Sequence, residues 1–69
     1  MFGKRLQELR KEHGLNQKDF AKAIGYSQSQ ISQWETSVNE PTASALTKIA
    51  DYFGVSVDYL LGRNDNDWF

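Results

Sequence analysis

The chain has 69 residues, enough for one small hydrophobic core and too few for two. It is 39% hydrophobic and 25% charged with a net charge of −1, which predicts a folded soluble domain and gives no global sign of a polyanionic partner. With no cysteine and one histidine, it excludes disulfides, thiol nucleophiles and Cys- or multi-His metal sites, and no apolar run reaches the ~20 residues of a membrane span; a soluble, intracellular protein without metal or cofactor is expected.

Leu6, Leu9 and His13 recur at three- and four-residue steps, which predicts a first amphipathic helix over about 3–13. Asn16 is placed to cap a second helix that stops at Gly25. Asp19, three residues on, is expected to return a bond to Asn16 as a variant capping box, with Leu15 and Phe20 as the apolar staple. Ser27, Gln30, Tyr26 and Ile31 repeat that grammar, so a third helix is predicted over 28–35. Thr42 caps a fourth helix with Ala45, Leu46, Ile49, Ala50 and Phe53 on its inward face. Val55, Ser56 and Leu60 then start a short fifth helix ending at Gly62, and residues 63–69 form a polar tail ending in Trp68 and Phe69. Residues 1–62 are therefore the expected domain.

Helices two and three are the informative pair. Ala21 stands where a second helix must approach closely, and Gly25 stands at the turn, where a positive φ costs glycine little. A helix, a tight glycine turn and another helix make a helix-turn-helix. The run Gln17-Lys18-Asp19-Phe20-Ala21-Lys22-Ala23-Ile24-Gly25-Tyr26-Ser27-Gln28-Ser29-Gln30-Ile31-Ser32-Gln33-Trp34-Glu35 resembles the Cro/cI-type helix-turn-helix of phage repressors and XRE-family regulators. Arg5-Leu6, Leu9-Arg10, Glu40-Pro41-Thr42, Leu46-Thr47-Lys48-Ile49-Ala50 and Gly54-Val55-Ser56-Val57-Asp58-Tyr59-Leu60-Leu61-Gly62 extend the likeness over roughly residues 3–62. The resemblance implies an all-α, compact five-helix, lambda-repressor-like domain that binds double-stranded operator DNA as a homodimer. It also implies a cytoplasmic protein of bacterial or phage origin.

The third helix is expected to present Gln28, Ser29, Ser32 and Gln33 to base edges, because Ile31 and Trp34 take its inward face. Glutamine carries a donor and an acceptor at its tip, the complement of the adenine edge. The family often has a longer side chain where Ser29 stands, so Ser29 is expected to add little specificity. Arg10, Asn16, Gln17, Ser27, Thr36 and Asn39 are the candidate phosphate contacts. Gln17 is one by resemblance and by its place at a helix start, and the others except Arg10 by their place near helix ends. The resemblance also pairs Arg10 with Glu35 in a semi-buried ion pair, with the arginine near a phosphate.

Charge is divided unevenly. Residues 1–34 hold six basic and three acidic residues, net +3, and residues 35–69 hold two basic and six acidic, net −4. The anion-seeking face thus belongs to the first half. The loop Thr36-Ser37-Val38-Asn39-Glu40 has no basic residue, unlike the family's usual loop, which predicts a shallow salt dependence. With Leu60 pointing inward, Val57, Asp58 and Leu61 are left as the candidate dimer surface, where the family dimerises. Trp68 and Phe69 are expected to fold back over the core or to pack across a dimer, with continuation into a further C-terminal region as the third alternative. No nucleophile–base set surrounds His13, so an enzyme is not expected. A regulator, more specifically a repressor, is the leading reading; a DNA-binding antitoxin of a toxin–antitoxin pair and a helix-turn-helix protein-interaction module are the alternatives.

Overall fold

The computed structural model describes residues 2–62. Five helices follow one another: α1 Phe2–Glu12, α2 Gln17–Ile24, α3 Gln28–Glu35, α4 Ala43–Phe53 and α5 Val57–Leu60. No strand occurs among the described residues. The predicted tail with Trp68 and Phe69 lies outside them.

Local chemistry accounts for the helix starts. The side chains of Asn16, Ser27, Thr42 and Ser56 accept from the backbone N–H of Asp19, Gln30, Ala45 and Tyr59, each three residues on. Each satisfies one first-turn donor that the helix cannot. Gln30 returns the bond, through Oε1 to the Ser27 N–H at 3.0 Å, and completes a capping box. The expected return bond from Asp19 is not formed; α2 has the Asn16 cap alone. Aspartate is one methylene shorter than the Glu or Gln of the usual box, which shortens its reach to the cap N–H.

The helix ends share one device. In α1, α2 and α4 a left-handed glycine is followed by an apolar residue whose N–H reaches back five positions. These bonds run from Leu15 to Arg10, from Tyr26 to Ala21 and from Val55 to Ala50. That reach-back bond closes the last turn. Gly25, at φ 80, makes the α2–α3 connection possible in three residues. The end of α3 is built the same way, with Val38 N–H on the Gln33 carbonyl at 2.9 Å, but Ser37 holds the left-handed position at φ 63.

Periodicity placed the core. Leu6, Leu9, Phe20, Ala21, Ile24, Ile31, Trp34, Ala45, Ile49, Ala50, Phe53, Val55 and Leu60 are buried in one cluster, with Leu15, Tyr26, Leu46 and Val57 packed against it. Phe20 stacks on Phe53 with centroids 5.2 Å apart, and Tyr26 meets Trp34 edge-on at 5.1 Å. The His13 ring lies 4.8 Å from Phe53 and its Nδ1 2.9 Å from the Leu9 carbonyl oxygen. Arg5 covers the Tyr59 ring at 4.4 Å, tying α1 to α5.

Candidate nucleic-acid interface

The α3 helix is eight residues long, about 12 Å, close to the width of a B-DNA major groove. Ile31 and Trp34 anchor it in the core. The opposite side carries Gln28 and Ser29, both exposed, and Ser32 and Gln33, both half-buried. The fold therefore presents these four polar residues on the helix that the core holds by two residues.

Beside this face, α2 begins at Gln17. Asp19 donates its N–H to Asn16 Oδ1 and Phe20 to the Asn16 carbonyl, which leaves the Gln17 and Lys18 amides as the free donors of any helix start. The positive end of the helix dipole lies there too.

One buried network joins α1, α2 and α3. Arg10 Nε donates to Glu35 Oε2 at 2.6 Å and Nη2 to Oε1 at 3.1 Å, a two-pronged ion pair with side chains only 9% and 2% exposed. Arg10 Nη1 donates to the Leu15 carbonyl at 2.8 Å, and Gln17 Nε2 donates to Glu35 Oε1 at 3.1 Å. Glu35 thus accepts three hydrogen bonds, which compensates the loss of water around a buried carboxylate.

A helix-turn-helix family model matches residues 6–60. The chain belongs to the XRE-type helix-turn-helix family. It is 35% identical over 63 residues to the HTH-type transcriptional regulator ImmR of Bacillus subtilis, covering 91% of this chain and 50% of that protein. It is 31% identical over 64 residues to the antitoxin PezA of Streptococcus pneumoniae, covering 93% and 40%. Its fold matches a crystal structure of the P22 c2 repressor protein in complex with a synthetic operator, at a TM-score of 0.86 and 34% identity, covering 93% of this chain and 97% of that one. The chain spans about half the length of the curated relatives it matches.

Within this helix-turn-helix domain, the polar residues near α2 and α3 differ in the donors they have free. The Asn16 amide N–H2 makes no bond among the described residues, while Gln17 and Asn39 have each committed one amide donor, Asn39 through Nδ2 to Gln33 Oε1 at 2.8 Å. The Ser27 hydroxyl donates to Gln30 Oε1 at 3.2 Å, and the Thr36 hydroxyl donates to the Ser32 carbonyl at 2.9 Å. Arg10 is turned inward onto Glu35 and Leu15. Val57 and Leu61 are half-buried and Asp58 is exposed; Leu61 lines a small apolar notch with Phe2, Pro41 and Leu46.

Three features were not anticipated from sequence. Gly3 is buried in α1 against the backbone of α3: a Cβ there would lie 2.5 Å from the Glu35 carbonyl oxygen and 2.6 Å from that of Trp34. A glycine inside a helical pattern is the one signal that could have marked it. The bonds from Gln17 to Glu35 and from Asn39 to Gln33 left no trace in spacing, because the first joins two helices and the second depends on how the loop after α3 bends back.

Proposed function

We propose that this chain is a sequence-specific double-stranded DNA-binding transcriptional regulator, acting as a repressor with no chemistry of its own, in the bacterial cytoplasm. The exposed polar face of α3, held by Ile31 and Trp34 beside the open start of α2, carries the reading. Gln28, Ser32 and Gln33 meet base edges in the major groove, and Ser29 adds little. Asn16, Gln17 and Asn39 bind phosphates through their remaining N–H groups, with the free amides of Gln17 and Lys18 receiving one phosphate at the helix start. Ser27 and Thr36 take part by exchanging their present hydrogen bonds for phosphate. Arg10 acts mainly through Glu35, as the strut that holds α3 and Gln17 in place. The matched fold of a repressor protein in complex with a synthetic operator supports the assignment.

The described residues span 27 Å in their longest direction, less than the ~34 Å between half-sites one helical turn apart. A pseudo-palindromic operator therefore calls for two copies, meeting through Val57, Asp58 and Leu61. Selection from randomised duplex DNA tests the proposal. The expected outcome is an enriched motif with two inverted half-sites about one turn apart. Recovery of no enriched sequence sinks DNA reading and favours a protein-interaction module.

The likeness to the antitoxin PezA supports a second reading, a DNA-binding antitoxin. Co-purification of this chain with the product of an adjacent gene that arrests growth distinguishes it from a free-standing repressor.

A further inference from the structure

We propose, resting on the reading of α3 as the helix that enters the major groove, that Gln30 is a further DNA contact. Its amide N–H2 donates to a backbone phosphate on the groove wall opposite the one that meets the start of α2.

The two ends of a glutamine amide are told apart by what they bond. For Gln30 a backbone N–H decides. The Ser27 N–H can only donate, and its nitrogen lies 3.0 Å from Gln30 Oε1. The Ser27 hydroxyl donates to the same oxygen at 3.2 Å and accepts from the Gln30 N–H at 3.1 Å. Turned over, the amide would set its N–H2 against the Ser27 N–H, donor against donor. Oε1 is therefore fixed on the cap, and Nε2 is the free end. Gln30 is exposed, and Nε2 makes no bond among the described residues. Two protons without a lone pair suit an acceptor-only group, such as a phosphate oxygen.

The cap alone does not call for glutamine. Glutamate offers the same oxygen to the cap and adds a negative charge that the helix dipole favours in the first turn. What glutamine adds at this position is the uncharged N–H2.

The place of Gln30 on α3 selects the partner. Successive helical residues turn by about 100°. Gln30 then falls beside Trp34 at one edge of the buried face, and Glu35 beside Ile31 at the other edge. Gln28, Ser29, Ser32 and Gln33 fill the arc between these edges on the outward side. A helix that lays this arc on the bases turns its two edges toward the groove walls, which are sugar and phosphate. The Glu35 edge is shared with Gln17 at the start of α2. The Gln30 edge faces the other wall, and it does so in the first turn, where a recognition helix makes its base contacts. No base preference follows, because every nucleotide carries the same phosphate.

Gln30→Glu and Gln30→Ala test the contact in the full chain. Gln30→Glu keeps an oxygen on the cap and replaces the donor with a charged acceptor. Its melting temperature should equal or exceed that of the wild type, while its affinity should fall by about tenfold or more on selected and random duplexes alike. A merely structural role for Gln30 would leave affinity unmoved in a variant that keeps the cap. Added charge also acts at a distance, so the deciding measurement uses the selected site with one phosphate at a time replaced by a neutral methylphosphonate. At one phosphate per half-site, neutralisation should weaken the wild type by about tenfold, leave Gln30→Ala unchanged and strengthen Gln30→Glu. The proposal is overturned if every phosphate that matters to the wild type matters equally to Gln30→Ala. Should the loss of the cap unfold Gln30→Ala, Gln30→Glu decides alone: absence of any phosphate whose neutralisation strengthens it above its neighbours overturns the contact. An enriched site without a Gln30-dependent phosphate sinks this contact and leaves DNA reading by α3 in place, whereas failure to enrich any sequence sinks both.

Discussion

Arg10 and Glu35, 25 positions apart, close on each other through two parallel hydrogen bonds in a nearly dry site. The pair is the only direct side-chain link from α1 to the end of α3 among the described hydrogen bonds, and Gln17 joins it from α2. Removing one partner strands the other as an uncompensated buried charge. Glu35→Ala is therefore expected to cost ~3–5 kcal/mol, comparable with the whole stability of a domain this small. Replacing both, as Arg10→Met with Glu35→Leu, should cost less than Glu35→Ala alone. Urea unfolding of the two variants beside the wild type checks the order, and a Glu35→Ala loss under ~0.5 kcal/mol would class the pair with ordinary surface charges.

Gly3 lets α1 approach the α3 backbone closely enough for that pair to form. Two opposing effects make its substitution informative. Helix propensity alone predicts that Gly3→Ala stabilises by ~0.5–1 kcal/mol. The packing predicts a loss, because the new methyl meets two backbone carbonyl oxygens at 2.5 and 2.6 Å and neither can rotate away. Overpacking of this kind costs ~1–3 kcal/mol, and the steric effect is expected to win. The melting temperature should fall by several degrees, and a rise would show that α1 and α3 separate freely.

Ser37 gives the opposite expectation. It holds a left-handed backbone at φ 63, where the corresponding positions after α1, α2 and α4 are glycine. A side chain in that region costs ~1–2 kcal/mol, part of which glycine gives back as unfolded-chain entropy. Ser37→Gly should raise stability by ~0.5–1 kcal/mol. Ser37→Val should lower it, since β-branched residues tolerate this region worst. Thermal melts of both variants provide the test, and a stabilising valine is the outcome incompatible with the observed geometry.

Gln28 stands in the first turn of α3 and is exposed. Gln28→Ala is expected to cost ~1–3 kcal/mol on the selected site and to relax the preference at one base pair. Titration of the selected site and of random duplex DNA separates specific from general binding. Equal losses on both would show that Gln28 touches backbone rather than base.

Much of this domain was legible because its signals are local. A cap acts over three residues and a helix stop over five, so Asn16, Ser27, Thr42, Ser56 and the glycines placed the helices to within about one residue. The periodic positions supplied the core, from Leu6 to Leu60. Where a local rule failed, the reason was also local: Asp19 lacks the methylene that lets Gln30 complete its box. The site was legible in part. Spacing put Gln28, Ser29, Ser32 and Gln33 on one side of α3, while only likeness to the family brought Arg10 together with Glu35.

The sequence by itself determined which segments are helical, which faces are apolar and where basic charge concentrates, because caps, periodicity and composition are each written within a few neighbouring residues. Tertiary structure alone decided how the polar groups are spent. It showed that Gln17 holds Glu35, that Asn39 holds Gln33 and that Gly3 seats α1 on α3. The first and third depend on the approach of helices that are separate in the chain, and the second on how the loop after α3 folds back over its last turn. A hydrogen bond or a carbonyl contact forms within a few tenths of an ångström, and no spacing rule specifies the distance between two helices that closely.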